Sequence, residues 1–272
     1  MAFVNDEWKK RAQAPRIFSR ASRLANTSPR DVVIYNARPR QEAADLNLDE
    51  SGFVLLDDPV EIDDANDKSY VRSSYFPHMR RLMKSLTGAH DVLDVGFYQV
   101  RSSQPQHFFN GYSLYMHCDF DLRDWQGFAR SVVKQHDKDY SMQKWDFACY
   151  NLWRPLEDIV QKNPLVLIDA STLAGEELIA YLPVADGQSP RVSLPVHGEG
   201  QRLYYVPDMR PDEVLIFKQL ESRPGRAVVC PHASFVDPNS PPDAPERTSI
   251  DIRFLCVFPK PHYDRPASLL EH

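Results

Sequence analysis

Tyr115-Met116-His117-Cys118-Asp119-Phe120 is the stretch whose reading decides both fold and chemistry. It closes an aromatic-rich run with strand character, Ser113–Asp119. In an extended chain, residues two apart point to the same side. His117 and Asp119 therefore converge on one ion if the strand persists through both. An imidazole nitrogen and a carboxylate oxygen form a borderline-hard donor pair, which suits Fe(II) better than a thiolate set does. A third ligand is required, and His232 in Cys230-Pro231-His232-Ala233-Ser234-Phe235 supplies it, just after the strand candidate Ala227–Val229. Two imidazoles and one carboxylate on one face of an octahedral ion leave half of its positions open for a bidentate co-substrate and dioxygen. His-x-Asp alone is a weak signal, and the chain holds 9 histidines. Spacing alone also leaves His232 a structural reading, with its ring bonded to a loop carbonyl.

Downstream of His232, Arg247-Thr248-Ser249 opens the strand candidate Ile250–Phe258. An arginine there can pair bidentately with a dicarboxylate whose other end chelates the metal. Ser249 shares the face of Arg247. Asp251 and Arg253 continue that face, so Arg253 is a rival anchor or a salt-bridge partner of Asp251. A surface ion pair is the plainer reading of either arginine. The Pro-rich segment Asp237–Pro245 reads as a rigid loop over or beside a site, and it leaves the register of the last strand open.

Upstream and between these blocks, strand signals dominate: Val92–Val100, Phe147–Trp153, Leu165–Ile168, Leu203–Val206 and Val214–Phe217. They are short and bounded by Pro, Gly or Asp, the pattern of a sandwich or jelly roll. Two helices trim it. One carries Tyr75, Met79, Leu82 and Met83 before a stop at Gly88, and the other covers Leu122–His136 with Trp125, Phe128, Ala129, Val132 and Val133 as its apolar stripe. The chain thus reads as mainly β with helical trimming. Residues 1–70 read as an N-terminal extension that wraps or braces the core, and residues 71–269 as the core with its flanking helices. Leu270-Glu271-His272 reads as the remnant of an expression tag.

Composition narrows the function classes. Hydrophobic residues make 42% and charged residues 26% of 272, an ordinary balance for a globular protein. The excess of 22 prolines over 10 glycines favours many short elements joined by rigid turns. A net charge of -6 argues against a nucleic-acid partner. No apolar run is long enough to span a membrane, and no apolar signal core opens the chain. The four cysteines, Cys118, Cys149, Cys230 and Cys256, form no CxxC pair and read as buried free thiols of a cytoplasmic protein. A homodimer is compatible with the sequence.

Six blocks in fixed order carry a family resemblance. They are Met116–Asp119, Asn151-Leu152-Trp153-Arg154-Pro155-Leu156, Pro164–Ala170, Tyr204–Lys218, Pro231–Phe235 and Glu246–Arg253. With them, roughly residues 90–259 resemble the fungal and bacterial oxygenases grouped with CmcJ and NvfI, a family also described as gibberellin desaturase-like. The resemblance implies a double-stranded β-helix (a cupin-like jelly roll), with Fe(II) and O2 at the centre and 2-oxoglutarate as co-substrate. It implies oxidation of a small natural-product intermediate by hydroxylation, desaturation, ring closure or endoperoxidation, with release of succinate and CO2. His117, Asp119 and His232 are then the iron ligands, and Arg247 with Ser249 holds the distal carboxylate of 2-oxoglutarate, with Arg253 still in play.

Substrate-contact candidates come from the remaining blocks. Asn151 and Trp153 share a strand face and can line the pocket. Arg154 points the other way unless Pro155 bends the chain, so it contacts substrate or forms a buried structural ion pair. Tyr204-Tyr205 offers one ring inward and one outward. The acidic residues of Met209–Glu213 are expected to face solvent, with Lys218 at a strand end. Two other functions compete: a metal-dependent oxygenase or isomerase that does not use 2-oxoglutarate, and a non-catalytic jelly-roll binding module.

Overall fold

In a computed structural model, which describes residues 1–11, 15–17, 19–103, 111–183 and 192–261, the chain is built mainly from strands. Five short strands come first: β1 (Ala2–Val4), β2 (Arg16–Ile17), β3 (Thr27–Pro29), β4 (Ile34–Asn36) and β5 (Phe53–Asp57). Then follow β6 (Asp91–Arg101), β7 (Trp145–Pro155), β8 (Leu165–Ile168), β9 (Leu178–Pro183), β10 (Val192–Pro195), β11 (Leu203–Tyr205), β12 (Glu213–Glu221), β13 (His232–Ser234) and β14 (Ser249–Pro259). Residues 270–272 lie outside the described residues.

The antiparallel sheet β5-β12-β7-β14-β6 is the platform. Period-two alternation sorts its side chains onto two faces. On the outer face, Tyr150, Leu152, Ile252, Phe254 and Cys256 pack with Tyr75, Met79 and Met83. Those three project from the turn Val71–Tyr75 and the helix Phe76–Thr87, which Gly88 ends in the left-handed conformation, at φ 66°. Its N–H bonds the carbonyl of Lys84, as the Gly88 stop signal predicts. Met79 and Met83 are fully buried, which stabilises the layer by roughly 1.5–3 kcal/mol each.

On the inner face, the sheet β13-β8-β11-β4 covers the central part of the platform. Leu165, Leu167 and Tyr204 share a core there with Phe53, Trp153, Leu215 and Phe217. The far end of the same face, Phe147, Cys149, Leu255 and Val257, is covered by Ala129, Val132 and Val133 of the helix Trp125–Gln135. Between these apolar regions the inner face turns polar, at Asn151, Gln219, Asp251 and Arg253. All four are buried, so each requires a partner.

Several expectations differ in detail. Ser113–Asp119 is extended but forms no continuous strand. Met116, His117 and Cys118 donate in turn to Ala2, His232 and Ser193, so no single neighbour can build a ladder with this segment. Ala227–Val229 is not a strand either, and pairing begins after Pro231, which has no N–H to give. The three-stranded sheet β10-β9-β2 was not expected from the sequence. Glu213 does not face solvent: it is 2% exposed and takes two bonds from Arg38, at 2.8 and 3.0 Å. Lys218 lies inside β12 rather than at its end, and it is fully buried against Glu221 at 2.7 Å. All four cysteines are buried and unpaired.

Candidate metal centre

The polar centre of the inner face is where the three sequence-selected ligands meet. His117 and His232 form an antiparallel bridge and exchange both backbone hydrogen bonds. Their side chains must then leave on one side, and the two rings stand 4.4 Å apart. Asp119, two residues on, reaches the same point. Its Oδ1 is 3.8 Å from Nε2 of His117 and 3.9 Å from Nε2 of His232. Among the described residues, one donor atom from each of the three lies within 4.8 Å of the others, and they are the single His/Cys/Asp/Glu group so arranged.

Neighbours fix how each ligand points. Nδ1 of His117 is 3.0 Å from the carbonyl of Tyr115, which turns Nε2 to the centre. The backbone N–H of Asp119 donates to Oε1 of Gln219 at 2.9 Å. The Gln219 amide also donates to the carbonyl of Cys230 at 3.3 Å and lies 3.4 Å from Nδ1 of His232. Gln219 thereby braces the Asp119 segment to the His232 segment. It can do so because β12 shifts register between Lys218 and Leu220, which leaves Gln219 at a bulge. Sequence reading missed this residue. The signal was present as a polar Lys218-Gln219 pair inside an apolar run that resumes at Leu220.

The other carboxylate oxygen, Oδ2 of Asp119, faces the platform. It accepts from Asn151 at 2.6 Å and from Nε of Arg253 at 2.8 Å. Arg253 also donates to Asp251 at 2.7 Å, so one guanidinium joins the partly buried Asp119 carboxylate to the buried Asp251 carboxylate. Burial by itself would raise the pKa of Asp119, but Arg253 and the two imidazoles outweigh it and hold the carboxyl well below its usual range. Burial pushes His117 down, and it pushes His232 down to about 3 with help from the adjacent His117 ring. These shifts favour neutral imidazoles and an ionised carboxylate, the state that binds a metal. Burial raises Asp251 to about 6 against the pull of Arg253.

A small cavity opens beside His117 and His232, with Phe217, Leu165, Trp153, Asp251, Ser234 and Arg247 among its walls. The Arg247 guanidinium lies 4.4 Å from the Tyr112 ring and 5.2 Å from the Trp153 ring. One of its nitrogens, Nη2, donates to Ser234 at 3.1 Å. Among the described residues, its Nε and Nη1, and Oγ of Ser249, are buried without a hydrogen-bond partner. Arg101, on the neighbouring strand, also faces this cavity.

The structure therefore brings His117, Asp119, His232, Asn151, Trp153, Arg247, Ser249 and Arg253 into one region. It does not bring Arg154, Tyr204 or Tyr205 to the cavity. Arg154 is 1% exposed on the outer face, where it donates to the carbonyl and carboxylate of Asp58 and to the carbonyl of Val60. Strand alternation explains this, because Pro155 does not interrupt β7. Tyr204 packs on Phe53 within the inter-sheet core, at 6.1 Å between rings, and Tyr205 packs edge-on against Phe235.

Two facing sheets with a two-histidine, one-carboxylate cluster between them have the donor set of a mononuclear metal site. The chain belongs to the family described as Oxidoreductase/YMDC permease-like domain, whose model matches residues 4–257. Among the described residues, no helix is long and apolar enough to cross a membrane. The Fe(II)/2-oxoglutarate-dependent dioxygenase nvfI of Aspergillus novofumigatus is 28% identical over 241 residues, covering 85% of this chain and 84% of that protein. The alpha-ketoglutarate-dependent dioxygenase phiK of a fungal species is 29% identical, covering 79% of this chain and 80% of its own. Solved structures of the iron and alpha-ketoglutarate-dependent endoperoxidase NvfI superpose with TM-scores of 0.81 at 24% identity and 0.78 at 25% identity. They cover 96% of this chain in both cases, and 96% and 97% of their own. The resemblance carried by the six sequence blocks is thus borne out.

Proposed function

We propose that His117, Asp119 and His232 hold one ferrous ion, and that Arg247 with Ser249 takes the distal carboxylate of 2-oxoglutarate. The chain is an Fe(II)/2-oxoglutarate-dependent dioxygenase that oxidises a small natural-product intermediate. One observation carries the reading. The cavity that begins at the two imidazoles is walled by Arg247, whose Nε and Nη1 are buried without a partner among the described residues, as is Oγ of Ser249 two residues on. Orphaned buried donors are costly, and a carboxylate is the group that satisfies a guanidinium edge bidentately. Arg253 also keeps a buried Nη1 without a partner among the described residues, but it suits this role less well, since its Nε and Nη2 are committed to Asp119 and Asp251 and it does not line the cavity.

When bound, iron and 2-oxoglutarate supply the oxidising chemistry, using O2 and releasing succinate and CO2 with hydroxylation, desaturation, ring closure or endoperoxidation of the substrate. The chain's own residues prepare that chemistry. His117 and His232 present Nε2, and Asp119 presents Oδ1. Gln219 fixes the spacing between the ligand segments. Tyr112 and Trp153 hold the Arg247 guanidinium between their rings. Phe217, Leu165 and Trp153 line the path between the ligands and Arg247 and keep it poor in water.

The two facing sheets support a double-stranded β-helix. Residues 1–70 are read as a brace, because β4 extends one sheet and β5 edges the other. The acidic balance and buried thiols support a cytoplasmic enzyme of small molecules with no nucleic-acid partner.

Anaerobic titration with Fe(II) and 2-oxoglutarate tests the proposal through the visible charge-transfer absorption of the chelate. The band should appear in the native protein and vanish in Asp119→Ala. Arg247→Met should raise the 2-oxoglutarate requirement about ten- to a hundredfold, the worth of a charged hydrogen-bonded pair. Iron-loaded, folded protein without the band would refute 2-oxoglutarate. A larger effect on 2-oxoglutarate from Arg253→Met than from Arg247→Met would move the anchor.

A further inference from the structure

We infer that Arg253 and Asn151 are positioning residues that restrict Asp119 to one metal-binding oxygen, and so keep a coordination position free for a reagent. The inference rests on the assignment of the metal site above and adds the device that fixes its open half.

The two oxygens of Asp119 have different surroundings. Oδ1 faces the imidazoles at 3.8 and 3.9 Å. Oδ2 accepts from Nδ2 of Asn151 at 2.6 Å and from Nε of Arg253 at 2.8 Å. Both donors come from the platform beneath the site, from directly paired positions on β7 and β14, Asn151 opposite Arg253. Asn151 is completely buried and Arg253 is 2% exposed, so neither can turn to water for a substitute partner. Arg253 is itself held by Asp251 through Nη2, at 2.7 Å. Opposite Arg253, β6 bulges at Val95–Phe97, around Gly96 with its positive φ of 90°, while β14 keeps its register with β7.

The consequence is chemical. A free carboxylate can offer a cation one oxygen or both. With both on the ion, the two histidines and Asp119 would fill four of about six octahedral positions, and a bidentate co-substrate would fill the remainder. Dioxygen would then have no site. Two hydrogen bonds to Oδ2 make the one-oxygen mode the low-energy one. The guanidinium also offsets the carboxylate charge, which weakens Asp119 as a donor and leaves the ion a stronger Lewis acid toward its other ligands.

Mn(II) and water-proton relaxation provide the test, because relaxation counts exchangeable waters on the ion without turnover. Native protein should hold about three such waters, falling to about one when 2-oxoglutarate is added. Arg253→Met should bind Mn(II) several-fold more tightly with about two waters, and with about none after 2-oxoglutarate. Arg253→Met leaves Asp251 unpaired, so the double substitution Arg253→Met/Asp251→Asn is measured beside it. Asn151→Leu should shift the same readings in the same direction by less. Any of these variants that folds and keeps the native water count overturns the clamp while leaving the metal site intact. Native protein that binds Mn(II) with no dependence on His117 or His232 takes the site assignment down, and the clamp with it.

Discussion

His117 and His232 sit directly across from one another, with backbone hydrogen bonds of 3.1 and 2.9 Å running in both directions between them. A sequence separation of more than a hundred residues is thereby reduced to a single antiparallel pair, with both imidazoles on one side and rings 4.4 Å apart. The two proposed histidine ligands are placed by strand pairing alone, so on the proposed assignment metal binding needs little reorganisation.

Metal binding should release almost no protons near neutral pH. Both imidazoles are pushed down by burial, His232 to about 3, and Asp119 is held low chiefly by Arg253 against its own burial. Two ordinary histidines would together carry about 1.5 protons at pH 6. Calorimetric titration with Mn(II) or Ni(II) in buffers of different ionisation heat should give equal enthalpies, and affinity should stay flat from pH 8 to about 6. The metal-free protein should lose stability as pH falls below 6.5, because the unfolded imidazoles gain protons that folded His232 takes only near 3. A proton release near one at pH 6 would contradict this.

Gln219→Leu should weaken metal binding about ten- to a hundredfold, the usual effect of removing a group that orients ligands. The substitution strips the acceptor from the Asp119 N–H and the donor from the Cys230 carbonyl. Gln219→Glu keeps the acceptor and should lose less. Equal metal affinity in native protein and Gln219→Leu, with unchanged circular dichroism, would assign Gln219 to packing alone.

Arg154→Met should cost about 3–5 kcal/mol in denaturant unfolding, since it leaves the buried Asp58 carboxylate without its guanidinium. In the folded fraction, metal and 2-oxoglutarate affinities should match the native protein, because Arg154 points to the outer face. A selective loss of 2-oxoglutarate or substrate binding would return Arg154 to the site.

Gly52→Ala should destabilise by about 2 kcal/mol or more. Gly52 has φ 80°, and a Cβ there would lie 2.6 Å from Sγ of Cys230. Cys230 is fully buried two residues before His232, so it has little room to retreat. Thermal unfolding checks this, and an unchanged midpoint would show that the loop before β5 yields without cost.

The local elements were legible where a short-range pattern forces them. The Tyr75/Met79/Met83 stripe with Gly88 marks one helix, and Trp125–Val133 marks the other, because helical periodicity and the left-handed cap act over a few residues. The partner of Arg154 and the burial of Glu213 were not legible, although strand alternation already turned Arg154 to the outer face. Both are charged residues whose fate depends on distant partners, Asp58 and Arg38, that no local pattern announces.

By itself, the sequence determined the His-x-Asp pair, the downstream histidine, the Arg247/Ser249 block and the family to which their order belongs. Those depend on spacing within a strand and on the order of blocks along the chain. Only the tertiary structure decided that Arg253 bonds both Asp119 and Asp251, and that Gln219 ties the Asp119 segment to the His232 segment. A bulge in β12 sets the contacts of Gln219, and the unbroken register of β14 on β7 sets those of Arg253. A one-residue slip in register moves a side chain to the other face, and that register is fixed by pairing across the whole sheet rather than by neighbours along the chain.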